Sequence, residues 1–264
     1  MTADASPADA VPTYPDLAGK VAVVTGGSKG IGAATCRALA ANGVKVAVVA
    51  RDQGGIHALV DQLRKDGATA IGVSADCTEA ASVERMRVAV EDSLGAVDIL
   101  ATFAGGFERR TPLLEIDEAE FRAVIDSNLM STFLTLKAFL PAMVARGRGA
   151  VVTMSSNSGR HLESPLTAHY AAAKAAVVTL TRHAALELGP LGVRLNCVAP
   201  ATTRTERIER TMTVERLQAM SDLSPLKRLG SPDDTAFATL YLASDASGWL
   251  TGVTIDVAGG RVML

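Results

Sequence analysis

The chain has 264 residues, 48% of them hydrophobic and only 4% aromatic, and a formal net charge of −2. That length suits one large α/β domain, and the interspersed charges, with no long basic run, argue against nucleic acid or an anionic membrane as partner. Three cysteines, Cys36, Cys77 and Cys197, are too few and too scattered for a disulfide framework or a metal site, and four scattered histidines add no metal cluster.

The first residues, MTADASPADAVPTYPD, have neither a basic start nor an apolar core. Residues 1–17 are therefore expected to be a flexible or loosely docked tail rather than a signal peptide, with one domain over 18–264. Cys36 and Cys197 lie in apolar segments and read as buried thiols; together with the missing leader they imply a reducing, cytoplasmic setting. No apolar run reaches membrane-spanning length without a charge, Gly or Pro interrupting it.

From there strand-like and helix-like stretches alternate. Strands are predicted at Lys20–Thr25, Val44–Ala50, Thr69–Ser74, Val97–Ala101, Ala150–Met154, Val193–Val198 and Thr251–Val257. Helices are predicted from Gly30 to Asn42, Gln53 to Asp66, Glu79 to Leu94 and Asp117 to Ala145, and through Tyr170 to about Leu188. Glycines 43, 67 and 95 close the first three. Ser231-Pro-Asp-Asp opens a last helix, with Ser at the N-cap, Pro at the first position and acids in the first turn. Seven apolar strands alternating with helices predict a doubly wound, Rossmann-like parallel sheet covered on both faces.

Between the first strand and the first helix stands Thr25-Gly-Gly-Ser-Lys-Gly-Ile-Gly32. Gly26, Gly30 and Gly32 allow a tight turn and close backbone approach, and the helix behind them offers free N–H groups to a pyrophosphate. Ser28, Lys29 and Ile31 belong to the same candidate dinucleotide-binding turn. An acid after the second strand would hold the ribose hydroxyls of NAD, whereas a base would accept a 2′-phosphate. Arg51 stands there and Lys29 lies in the turn, so NADP(H) is favoured over NAD(H), with the neighbouring Asp52 pulling the other way.

Tyr170 and Lys174 lie four apart in a predicted helix and share one face. Such a pair alone is most often a solvated face. With Ser156 at a strand end, however, a phenol, an ammonium and a hydroxyl could meet. That trio suits hydride transfer at a carbonyl: Ser156 holds the carbonyl oxygen, Tyr170 gives or takes the proton, and Lys174 lowers the phenol pKa from its usual ~10.

The turn T-G-x-x-x-G-I-G and the helix Y-A-A-A-K, in this order and at this separation, resemble the short-chain dehydrogenase/reductase family over about residues 18 to 264. The resemblance implies further roles. Asp76 would bond the adenine, with Cys77 contributing backbone. Asn128 would hold a water in a proton relay to Lys174, which would also hold the nicotinamide ribose. Pro200, Thr203 and Thr205 would hold the nicotinamide amide and pyrophosphate. Ala104 and Gly105 would let the backbone approach the cofactor. Relatives usually assemble as tetramers through the Tyr170 helix and its predecessor, so a homotetramer is expected.

Three departures from the family pattern stand out. Thr102-Phe103 replaces Asn-Asn, Ala201 replaces the glycine of a Pro-Gly pair, and Ser156 and Tyr170 are one residue further apart than is common. Residues 204–226 are expected to form a substrate lid, with Ile208, Met212, Leu217, Met220 and Leu223 on one apolar helical face. Phe107, His161, Leu162, Glu163 and Leu166 are further pocket-lining candidates. The expected activity is NADPH-dependent reduction of a small or medium ketone. The alternatives are an NAD-dependent secondary-alcohol dehydrogenase, a 3-oxoacyl-acyl-carrier-protein reductase, and a regulator that binds dinucleotide without turnover.

Overall fold

The computed structural model describes residues 11–161 and 167–263. Seven parallel strands form one sheet in the order β3-β2-β1-β4-β5-β6-β7. The strands are β1 (Val21–Thr25), β2 (Lys45–Ala50), β3 (Ala70–Ser74), β4 (Ile99–Thr102), β5 (Gly149–Met154), β6 (Val193–Pro200) and β7 (Thr254–Val257). Helices α1 (Gly30–Ala41), α2 (Gln53–Lys65), α3 (Ala80–Leu94), α4 (Glu118–Ile125), α5 (Ser131–Arg146), α6 (Ala168–Leu188), α7 (Glu206–Thr211), α8 (Val214–Asp222) and α9 (Pro232–Ala243) complete it.

The two-residue period of the strands divides the core into two layers. Ala22, Val24, Val46, Val48, Ile99 and Ala101 face one side, where α1, α2 and α9 bring Leu39, Ile56, Val60 and Leu240. Val21, Val23, Ala47, Val49 and Leu100 face the other, where α3, α5 and α6 bring Met86, Val90, Phe139, Met143 and Ala185. Both faces are therefore dry, which explains why the strands read as continuous apolar runs. The chain winds outward from β1 to β3, then returns to place β4 on the other side of β1. The crevice at the carboxyl ends of β1 and β4 is the switch point where doubly wound sheets bind ligands.

Three expectations are corrected. Within the segment expected to be a loose tail, Pro12 to Leu17 is docked. Asn42 takes the Tyr14 amide at 2.7 Å and donates to the Pro12 carbonyl at 2.9 Å, and Leu17 is fully buried. The helix predicted from Asp117 to Ala145 contains a wide π turn at Asp126–Met130, between α4 and α5. The run Glu118–Arg146 is long and apolar enough to cross a membrane by length and composition, yet Leu136, Phe139 and Met143 sit in the sheet core. The segment 204–226, expected to be a lid with one apolar helical face, forms two short helices, because Thr213 caps α8 and breaks the run after Met212. Ser231 caps α9 as predicted and forms a capping box with Asp234, each accepting the other's backbone N–H.

Candidate active site

The glycine turn is fixed by close approach. Gly26 has φ +67°, and a Cβ there would lie 2.8 Å from the Phe103 carbonyl oxygen; at Gly32 it would lie 2.2 Å from the Gly26 oxygen. Thr25, buried at the end of β1, accepts the Phe103 amide at 3.0 Å and the Ala104 amide at 3.2 Å. This hydroxyl ties the end of β1 to the loop that follows β4. Phe103 packs into the core. Lys29, at the N-cap of α1, supplies no side-chain cap, so the first-turn amides remain available to an anion.

Asn128 lies in the π turn, fully buried. Such turns frequently mark functional positions. Its amide donates to the Gly106 carbonyl at 2.7 Å and the Val124 carbonyl at 2.8 Å, while its oxygen accepts the Gly106 N–H at 2.8 Å. Its own carbonyl accepts from the Thr132 hydroxyl at 2.9 Å. The side chain of Asn128, the residue expected to hold a relay water, is thus committed to clamping the loop after β4 beside the crevice. A Cβ at Gly105 would stand 2.5 Å from the Asn128 oxygen, which explains the small residue there.

At the end of β5 two serines divide the work. Ser155 is buried and donates to the Lys174 carbonyl at 2.8 Å, pinning α6 to the sheet. Ser156 faces the crevice, accepting the Ser158 amide at 3.2 Å and donating to the Asn157 side chain at 3.3 Å. Tyr170 is half-buried; its ring packs on Phe107, centroids 4.7 Å apart. Lys174 is 3% exposed. Its ammonium lies 5.7 Å from the Tyr170 ring centroid and donates to the Met154 carbonyl at 2.9 Å.

The electrostatics differ from the expectation for the phenol. Burial raises the Tyr170 pKa above its ordinary value, opposed by a hydrogen bond from Ser156 and by the charge of Arg207. Burial also brings the Lys174 ammonium down to about 8.

Two adjoining hollows, of about 1070 and about 870 Å³, share Gly26, Lys29, Gly105, Gly106, Phe107 and Arg207 in their walls. Ser28, Arg51, Asp76, Cys77 and Ala104 line the first. Gly30, Ile31, Gly32, Ser156, Tyr170, Pro200, Thr203, Thr205, Ile208 and Met212 line the second. Lys174 and Asn128 sit behind these walls. His161 is exposed and lines neither hollow, a correction to its candidacy. Leu162, Glu163 and Leu166 lie outside the described residues. Met220 faces a smaller separate hollow and Leu223 is exposed, so neither joins the substrate wall.

Individual placements refine the cofactor side. Lys29 pairs with Asp52 at 2.5 Å, so the turn cation already has a counter-charge. Asp76 accepts the Thr78 amide at 2.9 Å and the Thr78 hydroxyl at 2.7 Å, bonds that hold its carboxyl below the usual range. Burial lifts the Cys77 thiol to about 11, so it is a packed, protonated thiol. Thr205 caps α7, and Thr203 bonds the Ala201 carbonyl at 3.1 Å. Arg207, which sequence reasoning missed, lies over the Phe107 ring at 5.4 Å. Nothing in linear spacing joins residues 107 and 207; only the fold brings α7 over the loop after β4.

The fold, the glycine turn and the Ser-Tyr-Lys cluster at the switch point define a dinucleotide-binding oxidoreductase architecture. A family model described as enoyl-(acyl carrier protein) reductase matches residues 26–261. A 3-oxoacyl-[acyl-carrier-protein] reductase of Synechocystis is 37% identical, covering 94% of this chain and 98% of that protein. A cyclohexanol dehydrogenase of Rhodococcus is 36% identical, covering 92% and 96%. The crystal structure of a 3-oxoacyl-[acyl-carrier protein] reductase from Brucella melitensis superposes with a TM-score of 0.92 at 29% identity, covering 100% and 99%. The chain belongs to the short-chain dehydrogenase/reductase family. It is an NAD(P)-dependent oxidoreductase of that family and uses a nicotinamide dinucleotide.

Proposed function

We propose that the protein reduces a ketone to a secondary alcohol with NADPH, reversibly, through Ser156, Tyr170, Lys174 and Asn128. One observation carries the reading: Ser156 and Tyr170 open onto the same hollow as the Gly30–Gly32 turn, with the Lys174 ammonium buried behind the tyrosine ring. The glycine cradle and the uncapped start of α1 fit a dinucleotide pyrophosphate, held by Gly26, Ser28, Lys29, Gly30, Ile31 and Gly32. Asp76 and the Cys77 backbone hold the adenine, Ala104 and Gly105 let it approach, and Pro200, Thr203 and Thr205 hold the nicotinamide end. Arg51, at the rim beyond β2 where an acid would favour NAD, takes the 2′-phosphate.

The nicotinamide supplies the hydride when bound. Ser156 orients the carbonyl oxygen by hydrogen bonding. Tyr170 passes its proton to that oxygen as negative charge develops. Its raised pKa keeps the phenol protonated at neutral pH, the state that reduction requires. Lys174 keeps a positive charge behind the ring and holds the nicotinamide ribose. Asn128 acts through Gly106, fixing the crevice wall. Phe121, Met130 and Phe133 remain exposed along α4, the π turn and α5, and a homotetramer packed through these helices and α6 would cover them; a monomeric mass by light scattering would count against it.

Initial rates of NADPH and NADH oxidation over ketones and 3-oxoacyl thioesters test the reading. NADPH is expected to be preferred, with the preference reduced in Arg51→Ala. Tyr170→Phe should lower kcat by about 10²–10⁴-fold without loss of fold. Full turnover by Tyr170→Phe would refute the mechanism, and an unchanged preference in Arg51→Ala would remove the cofactor assignment.

A further inference from the structure

We infer that Glu120 is a positioning residue for Tyr170: one oxygen of its carboxylate binds both the loop that carries Phe107 and the first turn of α6, and so fixes the phenol against the ring that packs on it. The inference rests on the reading of Tyr170 as proton donor and goes beyond it by assigning what holds that donor in place.

Tyr170 stands in the first turn of α6, which starts at Ala168. First turns fray unless their free backbone groups and side chains are tied down. The N-cap, Thr167, makes no side-chain cap bond. One turn further on, Ser155 donates to the Lys174 carbonyl at 2.8 Å, and a Cβ at Gly159 would stand 2.6 Å from the Lys174 backbone carbon. The turn that carries Tyr170 is held from another direction. His169, the residue before it, is fully buried, and its Nε2 lies 3.3 Å from Glu120 Oε1 on α4. Consecutive helical residues point about 100° apart, so His169 faces α4 while Tyr170 faces the crevice. The buried Nδ1 of His169 has no hydrogen-bond partner among the described residues. A neutral imidazole therefore carries its proton on Nε2, where it meets the carboxylate, and not as an unpaired N–H at Nδ1.

The same Oε1 accepts the buried Thr111 hydroxyl at 2.6 Å, and Oε2 accepts Arg109 at 2.6 Å. The Arg109 bond first, and the Thr111 bond second, bring the carboxyl down to about 2, so at neutral pH it only accepts. Asp117 accepts the Glu120 N–H at 2.8 Å, so the carboxylate hangs from a capped turn of α4. The loop after β4 is thus tied in succession: Thr25 takes the Phe103 and Ala104 amides, Asn128 brackets Gly106, and Glu120 takes Thr111. Between the last two ties stands Phe107, whose ring packs on Tyr170 at 4.7 Å. Removing the carboxylate frees both sides of that contact at once and leaves the His169 N–H and the Thr111 hydroxyl without an acceptor.

Two measurements read the position of Tyr170 itself. Protein labelled with carbon-13 at the tyrosine Cζ gives NMR signals from Tyr14, Tyr170 and Tyr241, and the one missing in Tyr170→Phe is the reporter. In His169→Phe that signal should shift or broaden, and its titration should move down toward the ordinary phenol value as burial is lost. Tyr14 and Tyr241, paired with each other at 6.5 Å, should stay unchanged. With NADPH and the ketone that the protein reduces fastest, kcat should fall about tenfold to hundredfold in His169→Phe, with a much smaller change in the NADPH Kd. His169→Gln, whose amide nitrogen reaches the place of Nε2, should recover part of that rate, and Glu120→Gln should lose less than Glu120→Leu. In a Tyr170→Phe background, His169→Phe should lower the rate little further, because its effect passes through the phenol. An unchanged Tyr170 signal or an unchanged kcat in His169→Phe overturns the inference. So does an equal rate loss in both backgrounds, or a shift shared by all the tyrosines, which would mark a general structural role. If His169→Phe does not fold, Thr111→Val, which removes one hydroxyl at nearly constant volume, is judged by the same outcomes with a smaller expected loss. Full turnover by Tyr170→Phe would instead overturn the proton-donor reading, and the tyrosine signals would still decide whether Glu120 holds the residue in place.

Discussion

Replacing Lys174 with methionine keeps most of the side-chain volume and removes a buried charge. The folded protein brings the ammonium from 10.5 to about 8, burial being the largest cause. At about 1.4 kcal/mol for each pH unit, holding the proton inside the protein costs about 3 kcal/mol. Below about 8 both folded and unfolded chains bind this proton, and the penalty is complete. Between about 8 and 10.5 the unfolded chain binds it and the folded chain does not, so rising pH favours folding. The hydrogen bond to the Met154 carbonyl is lost in the variant at every pH and shifts only the baseline. Urea unfolding of both proteins at a series of pH values isolates the charge. The stability of the wild type relative to Lys174→Met should climb by about 3 kcal/mol across that window. A pH-independent difference would refute the buried-charge argument. Turnover should be lost in the variant throughout, which would make the lysine a destabilising residue retained for chemistry.

Gly26→Ala should lower stability by about 1–3 kcal/mol and abolish dinucleotide binding, since its Cβ would meet the Phe103 carbonyl at a positive φ; thermal melting and fluorescence titration with NADPH check both. Asn128→Ala should destabilise by about 2–4 kcal/mol by orphaning both polar groups of Gly106, with a raised cofactor Kd; an unchanged melting temperature would show that the clamp is dispensable. In pH–rate profiles, ketone reduction should stay level through neutral pH while alcohol oxidation rises toward alkaline pH, because the raised Tyr170 pKa preserves the acid and withholds the base. Coincident profiles in the two directions would contradict that assignment.

Much of the site was legible because its chemistry is local in sequence. The glycine turn, the i, i+4 spacing of Tyr170 and Lys174, and the position of Ser156 at a strand end each depend on spacing within one strand, turn or helix. The strand alternation that fills the two core layers is equally local. What failed depended on long-range contact. A single long helix was expected through Asn128, yet the chain forms a π turn there and clamps Gly106. The phenol was expected to be lowered by Lys174, yet the ammonium points to the Met154 carbonyl and burial raises the phenol.

Sequence by itself determined the order of elements, the parallel sheet with two covered faces, the glycine turn and the placing of Tyr170 and Lys174 on one helix. Periodicity and backbone permissiveness act over a few residues and leave their mark in the linear string. Only the tertiary structure decided which groups meet across the crevice. It joins Thr25 to the loop after Ile99–Thr102, folds Arg207 over Phe107 and pairs Lys29 with Asp52. These contacts join segments whose separation along the chain carries no period. Burial and Coulomb energy depend on distance through space, which only the packed sheet, helices and loops establish.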